Sequence, residues 1–249
     1  MTEAPSTDFG FQTVTPEEKT RRVAAVFSSV AGNYDLMNDL MSVGMHRLWK
    51  RYAVHISPAR PGSVVLDLAG GTGDLAVLYR QRVGATGRVV VSDINSNMLR
   101  RGRDRLVNAG FVSGMDYVQA NAECLPFTDH TFDCISIAFG LRNVTDKAMA
   151  LSSMHAKLKY GGAVVILEFS KLALPLLRKL YDKYSFEIIP AIGKWVAKDL
   201  ESYQYLVESI RKHPDQEALQ IMMQDAGFSQ VSYYNLAGGI VAIHKGYKI

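Results

Sequence analysis

The stretch Val64-Val65-Leu66-Asp67-Leu68-Ala69-Gly70-Gly71-Thr72-Gly73-Asp74 constrains the fold more than any other part of the chain. Its apolar start has the length and residue types of a buried strand. The glycines that follow permit left-handed backbone angles and let a ligand come close to the main chain. The residues beyond them open a helix, whose first amides are free and whose dipole is positive at that end. A strand passing through a glycine turn into a helix is the ligand-binding end of an α/β sheet. The rest of the chain agrees. Short apolar runs at 63–68, 88–92, 116–119, 132–138 and 163–169 alternate with helix-period segments at 74–82, 95–108 and 146–158. That alternation predicts a doubly wound, mostly parallel sheet with helices on both faces.

The flanks read differently. Residues 1–15 are polar and read as a flexible lead to a single domain over 16–249. Thr15-Pro16-Glu17-Glu18 is a helix start with a capping box, and a helical cap is expected to about residue 57. A second helical stretch, 171–213, interrupts the alternation and is rich in aromatics: Tyr181, Tyr184, Phe186, Trp195, Tyr203 and Tyr205. A last helix over 215–226 stops at Gly227. Two closing strands, 229–236 and 239–245, are joined by a short turn at Ala237-Gly238-Gly239.

Composition excludes several classes of function. The 249 residues carry a net charge of +4 and only two cysteines, Cys124 and Cys134, expected as reduced thiols. The run Arg100, Arg101, Arg103 and Arg105 lacks the interleaved aromatics of a nucleic-acid groove and reads as a solvated helix face, so no nucleic-acid partner is expected. No apolar stretch approaches the ~20 residues needed to span a bilayer. There is no apolar signal core, and Glu3 and Asp8 precede the first basic residue, Lys19. The expectation is a cytoplasmic protein without a metal.

The glycine turn alone leaves its cofactor open. Gly71-x-Gly73-x-x-Ala76 also fits a dinucleotide pattern, so an NAD-dependent oxidoreductase competes. Asp93 ends the next apolar run, about 20 residues on, where a carboxylate binds ribose hydroxyls. Two features favour a sulfonium nucleotide. Asp67, at the end of the first strand, suits an ammonium or sulfonium cation and would repel a pyrophosphate. Asn121-Ala122-Glu123, followed by Leu125-Pro126-Phe127, offers a polar-then-apolar edge for an adenine.

Residues 66–74 resemble the glycine motif of class I S-adenosylmethionine methyltransferases. More widely, the chain resembles the ubiquinone/menaquinone biosynthesis C-methyltransferases, the UbiE/MenG family. That resemblance rests on Asn33-Tyr34-Asp35-Leu36-Met37-Asn38-Asp39, His46-Arg47-Leu48-Trp49-Lys50, Ala138-Phe139-Gly140-Leu141-Arg142-Asn143-Val144, Leu167-Glu168-Phe169-Ser170, Ser202-Tyr203-x-Tyr205-Leu206 and His213-Pro214-Asp215-Gln216-Glu217. It implies the class I methyltransferase arrangement of about seven strands, with an antiparallel strand near the C-terminus. It also implies S-adenosyl-L-methionine as cofactor, contacted by Thr72, Asp93, Asn121 and Ala122, beside Asp67, Gly71 and Gly73. Ala138 stands where some family members carry a serine that adds a contact, so a hydroxyl is missing here. The substrate implied is a polyprenyl quinol: demethylmenaquinol, 2-methoxy-6-polyprenyl-1,4-benzoquinol, or both.

Methylating a quinol ring carbon requires electron density on the ring. Ionising a phenol of pKa ~10 at neutral pH costs roughly 4 kcal/mol, which a base or a cation must offset. Arg142 follows the fourth sheet strand and is the expected phenolate stabiliser, since arginine does not give up its proton. For the proton acceptor, His46 has a suitable intrinsic pKa, with Tyr203, Tyr34, Asp35 and Asp199 as competitors. The aromatic cap and insertion suit a lid and a groove for a prenyl tail. Arg178, Lys179 and Lys183 suit contact with anionic lipid at the inner face of a membrane. Quinone-biosynthesis enzymes and a second copy of the chain are further candidate partners. The competing readings are a methyltransferase of another hydrophobic acceptor, the NAD enzyme and a non-catalytic scaffold.

Overall fold

A computed structural model describes residues 6–30, 39, 42, 44–172 and 200–249. The chain opens with β1 (Thr7–Phe9) and β2 (Gln12–Val14), then α1 (Pro16–Val30) and α2 (His46–Ile56). The alternating region follows as β3 (Val64–Leu68), α3 (Asp74–Val83), β4 (Arg88–Asp93), α4 (Ser96–Asn108), β5 (Met115–Gln119), β6 (Phe132–Ala138), α5 (Lys147–Lys157) and β7 (Leu158–Phe169). It ends with α6 (Leu200–Lys212), α7 (Gln216–Asp225), β8 (Ser229–Leu236) and β9 (Val241–Tyr247).

Seven of these strands form one sheet in the order β5-β4-β3-β6-β7-β9-β8. The first five are parallel, and β9 runs against both of its neighbours, β7 and β8. The order reverses at β3 and β6, which pair with each other, and so a crevice opens at their carboxyl ends. Strand periodicity explains the two cores. Val65, Val89 and Val91 pack with Ala53 of α2, Leu75 of α3, Leu99 of α4 and Tyr203 of α6. Leu66, Leu68 and Val90 face the other way, towards Ala150 and Leu151 of α5 and Leu219 of α7.

Two expectations are corrected. Residues 7–14 are not a flexible lead; β1 and β2 pair as an antiparallel hairpin. Phe9 and Val14 are buried with Val23, Val26 and Tyr205 while Phe11 stays exposed, and the Phe9 ring stacks on Tyr205 at 4.2 Å between centroids. Polar composition concealed that docking, because just two anchoring side chains carry it. Strand β7 also begins at Leu158 rather than 163, its first residue paired with Phe132 across a bulge. The helix start at Thr15 is as expected, with the Glu18 amide donating to Thr15 Oγ1 at 3.2 Å. Most of the helical insertion, and part of the cap, lie outside the described residues.

Candidate active site and cofactor cleft

The glycine turn is built by four constraints. Ala69, Gly71 and Gly73 all have positive φ, of 52°, 52° and 85°. The Gly70 amide donates to the Ser92 carbonyl at 3.0 Å, tying the turn to the end of β4. Asp93 does the same from its side chain: Oδ2 accepts from the Gly71 amide at 3.0 Å and Oδ1 from the Asn95 amide at 2.8 Å. Gly102 of α4 packs directly against the Gly71 carbonyl, leaving no room for a Cβ.

Above this turn lies a cleft of about 940 Å³, open solvent included, within the size range of nucleotide and cofactor sites. Of the expected cofactor residues, Gly71, Asp93, Asn121 and Ala122 line it. Burial pushes the Asp93 carboxyl up to about 6, against the amides of Asn95, Gly71 and Ile94, which pull it down. Asn121 spends its Oδ1 on the Glu123 amide at 3.0 Å, capping a single 3-10 turn over Ala122–Cys124. Four expected residues stand outside the lining. Thr72 and Gly73 continue the turn into α3, and Ala138 ends β6 between two lining residues, Ile137 and Phe139. Asp67 is sealed beneath the turn, with no hydrogen-bond partner on Oδ2 among the described residues. Burial raises its carboxyl to about 7, although Lys50 and the Ala76 amide oppose the shift.

Sequence reasoning missed the wall that closes the cleft. Thr20, Val23, Ala24 and Phe27 of α1 line it. Asn95 fastens that helix through its Nδ2, which donates to the Ala24 carbonyl at 3.3 Å and Ser28 Oγ at 3.2 Å. The signal was the Asp93-Ile94-Asn95 sequence, where a capping asparagine follows the ribose-type acid. Lys50 and Asp74 were also missed. Burial works to raise the Asp74 carboxyl, but Lys50 at 3.0 Å and Arg105 at 2.6 Å outweigh it and hold the pKa at about 2. This joins α2, α3 and α4 at the base of the turn.

The expected catalytic residues are not gathered in the cleft. Arg142 sits in a 3-10 turn, Leu141–Asn143, after β6, and is buried. Its guanidinium donates to Glu168 Oε1 at 2.9 Å and to the Phe139 carbonyl, and its own amide donates to Glu168 Oε2 at 3.2 Å. Its neighbour Asn143, not singled out from the sequence, does line the cleft and accepts a hydrogen bond from the Tyr205 hydroxyl at 3.0 Å. Tyr203 is fully buried, in the core on the same side of the sheet as Ala53 and Leu75. His46 is buried at the start of α2, its Nε2 2.9 Å from Asp39 Oδ1 and its Nδ1 without a partner among the described residues. Burial, chiefly, lowers its pKa. Tyr34, Asp35 and Asp199 lie outside the described residues.

A seven-stranded sheet of this order, with a glycine turn and a terminal strand acid facing one cleft, defines a class I S-adenosylmethionine-dependent methyltransferase. Solved structures share the fold. A possible histamine N-methyltransferase from Thermotoga maritima superposes with a TM-score of 0.64 at 18% identity, covering 91% of this chain and all of that one. A methyltransferase from Aquifex aeolicus gives 0.58 at 12% identity, covering 95% of this chain and all of that one. The particular family is set by sequence: residues 14–248 match the ubiE/COQ5 methyltransferase family, and the chain belongs to it. Among its relatives is the ubiquinone/menaquinone biosynthesis C-methyltransferase UbiE of Klebsiella pneumoniae, 61% identical over 98% of this chain and 97% of that protein. The protein of the same name from Francisella philomiragia is 61% identical over 99% and 98%.

Proposed function

We propose that this enzyme moves a methyl group from S-adenosyl-L-methionine to a ring carbon of a polyprenyl quinol. The observation that carries the reading is the 61% identity, over nearly the whole of both chains, to curated C-methyltransferases of ubiquinone and menaquinone biosynthesis. The NAD alternative falls with family membership.

The cofactor, when bound, supplies an electrophilic methyl group on a sulfonium. Asp93 would hold its ribose, each oxygen keeping a lone pair beyond the amide it already engages. Asn121 and Ala122 would flank the adenine. Asp67 would act through the turn it supports, as a buried negative charge on the cationic side of the cofactor. At the acceptor end, Asn143 has its carbonyl oxygen committed to Tyr205, which leaves its amide nitrogen to donate to a quinol oxygen. Such a donor stabilises the charge that develops on that oxygen. Arg142, the sequence candidate for this task, acts as a positioning residue, holding the turn that carries Asn143. His46 is the candidate proton acceptor. Its Nε2–H donates to Asp39, so the unpartnered Nδ1 carries the lone pair. It lies one helical turn from Trp49, whose ring is 6.4 Å from the cleft residue Phe139. A pH–rate profile of His46→Gln identical to the parent enzyme removes His46 from this role.

Contact with a membrane surface fits a substrate that lives in lipid. No described helix is long and apolar enough to cross a bilayer. Helix α2 instead exposes Met45, just before its start, Leu48 and Tyr52, with the exposed Arg51 alongside. Arg178, Lys179 and Lys183 lie outside the described residues.

The deciding experiment is transfer of labelled methyl to short-chain demethylated benzoquinol and naphthoquinol, followed by location of the label on the ring. Label on a ring carbon of either supports the reading; label only on oxygen, or on neither quinol, overturns it.

A further inference from the structure

A second, smaller cavity of about 340 Å³, open solvent included, is also bordered by α1. It is walled by the β1–β2 hairpin, α1, the start of α5 and α6, and Lys19, Arg142, Lys147 and Lys212 line it against one carboxylate, Asp8. Two of these charges are answered locally. Lys212 reaches Asp8 at 3.3 Å on the rim, and Arg142 pairs with Glu168.

The other two are not. Lys19 is buried, and its ammonium bonds only neutral oxygens, the Val144 carbonyl at 3.1 Å and Thr7 Oγ1 at 3.4 Å. Half-buried Lys147 turns to the same Val144 carbonyl, at 3.3 Å. Neither forms an ion pair among the described residues. Desolvation, with the Lys147 charge adding to it, brings the Lys19 pKa down to about 8 although Asp8 and Glu123 pull the other way. Burial lowers that of Lys147 too, against Glu168, Asp8, Asp146 and Glu123. Arg142 contributes a buried Nε with no partner among the described residues. Ammonium groups held close together and partly out of water, without a carboxylate in direct contact, are costly. An anion between them removes the cost.

We propose that this cavity binds a phosphate-class oxyanion, gripped by Lys19 and Lys147, with Arg142 and the Thr7 hydroxyl completing its wall. Phosphate suits the chemistry, with several acceptor oxygens for several cationic donors. The same helix, α1, lines both cavities, so the anion braces a wall of the cofactor cleft. The group is either free phosphate or the headgroup of an anionic lipid.

Calorimetric titration of the full-length enzyme with inorganic phosphate, at ionic strength held constant with chloride, tests this. One phosphate per chain is expected to bind, and Lys19→Gln or Lys147→Gln to weaken it about tenfold or more while S-adenosylmethionine still binds. Lys147 is only half-buried, so its variant stays informative should Lys19→Gln fail to fold. Vesicles of phosphatidylglycerol, compared with phosphatidylcholine, separate the sources: displacement of phosphate by the former alone assigns the headgroup, and no displacement assigns free phosphate. An absence of saturable binding above the chloride background overturns the proposal, as does equal affinity in parent and Lys147→Gln.

Discussion

Arg142 and Glu168 form an ion pair at 2.9 Å in which both side chains are shut off from solvent. The glutamate also receives the Arg142 amide and, through Oε1, the Phe169 amide, so one carboxylate fixes the ends of β6 and β7 together. Removing one partner of a buried pair strands the other. We expect Arg142→Met or Glu168→Gln to cost about 3–5 kcal/mol, read by urea unfolding. The double variant Arg142→Met, Glu168→Leu should cost less than the two single losses added together, because no buried charge is then stranded. A single variant as stable as the parent would contradict the role given to the pair.

Asn143 separates positioning from chemistry. Asn143→Ala should lower turnover by roughly 10²-fold with S-adenosylmethionine affinity within about threefold. Tyr205→Phe leaves the Asn143 carbonyl without its donor and should lose less, about tenfold. Methyl-transfer kinetics and equilibrium dialysis give the two readouts; unchanged turnover in Asn143→Ala would remove it from the acceptor site.

Cofactor affinity should depend on pH. Asp93 and Asp67 have pKa values raised from 3.8 to about 6 and about 7, so their contribution to stability is full below about pH 4 and is lost as pH rises through these values. The cofactor favours the ionised forms, and binding therefore releases protons. Affinity for S-adenosylmethionine should rise about fivefold or more between pH 5.5 and 7.5. Calorimetry in buffers of different ionisation enthalpy measures the protons released; a flat profile with none would count against Asp93 as a ligand.

Asp74 has the opposite sign. Its pKa is held at about 2, so its contribution is present above pH 4 and disappears as pH falls through 2. Asp74→Asn should cost roughly 2 kcal/mol at pH 7 and almost nothing near pH 2. Lys50→Met should bring much of the same loss. Denaturant unfolding at both pH values decides it.

Gly102 offers a test of the turn itself. Glycine to alanine inside a helix ordinarily stabilises by about 1 kcal/mol, yet here the Cβ would collide with the Gly71 carbonyl. Gly102→Ala should instead destabilise the protein and weaken cofactor binding about tenfold. Improved stability with normal binding would show that the turn can shift freely.

The sheet, the glycine turn and the place of Asp93 at a strand end were legible in the sequence, because those rest on local periodicity and backbone angles. Val64–Leu68 alternates faces wherever it is placed, Gly71 and Gly73 supply positive φ, and Asp93 falls at a strand end by count. Which polar groups reach the cleft depends on long-range contacts instead. Arg142 and Asn143 are adjacent and both polar, yet one turns inward to Glu168, 26 residues away, while the other lines the cavity. The docking of residues 7–14 rests on Phe9 meeting Tyr205, and the second cavity on Lys19 and Lys147 sharing the Val144 carbonyl. Such contacts join residues distant in sequence, and their energies depend on burial and neighbouring charge, which no local pattern encodes.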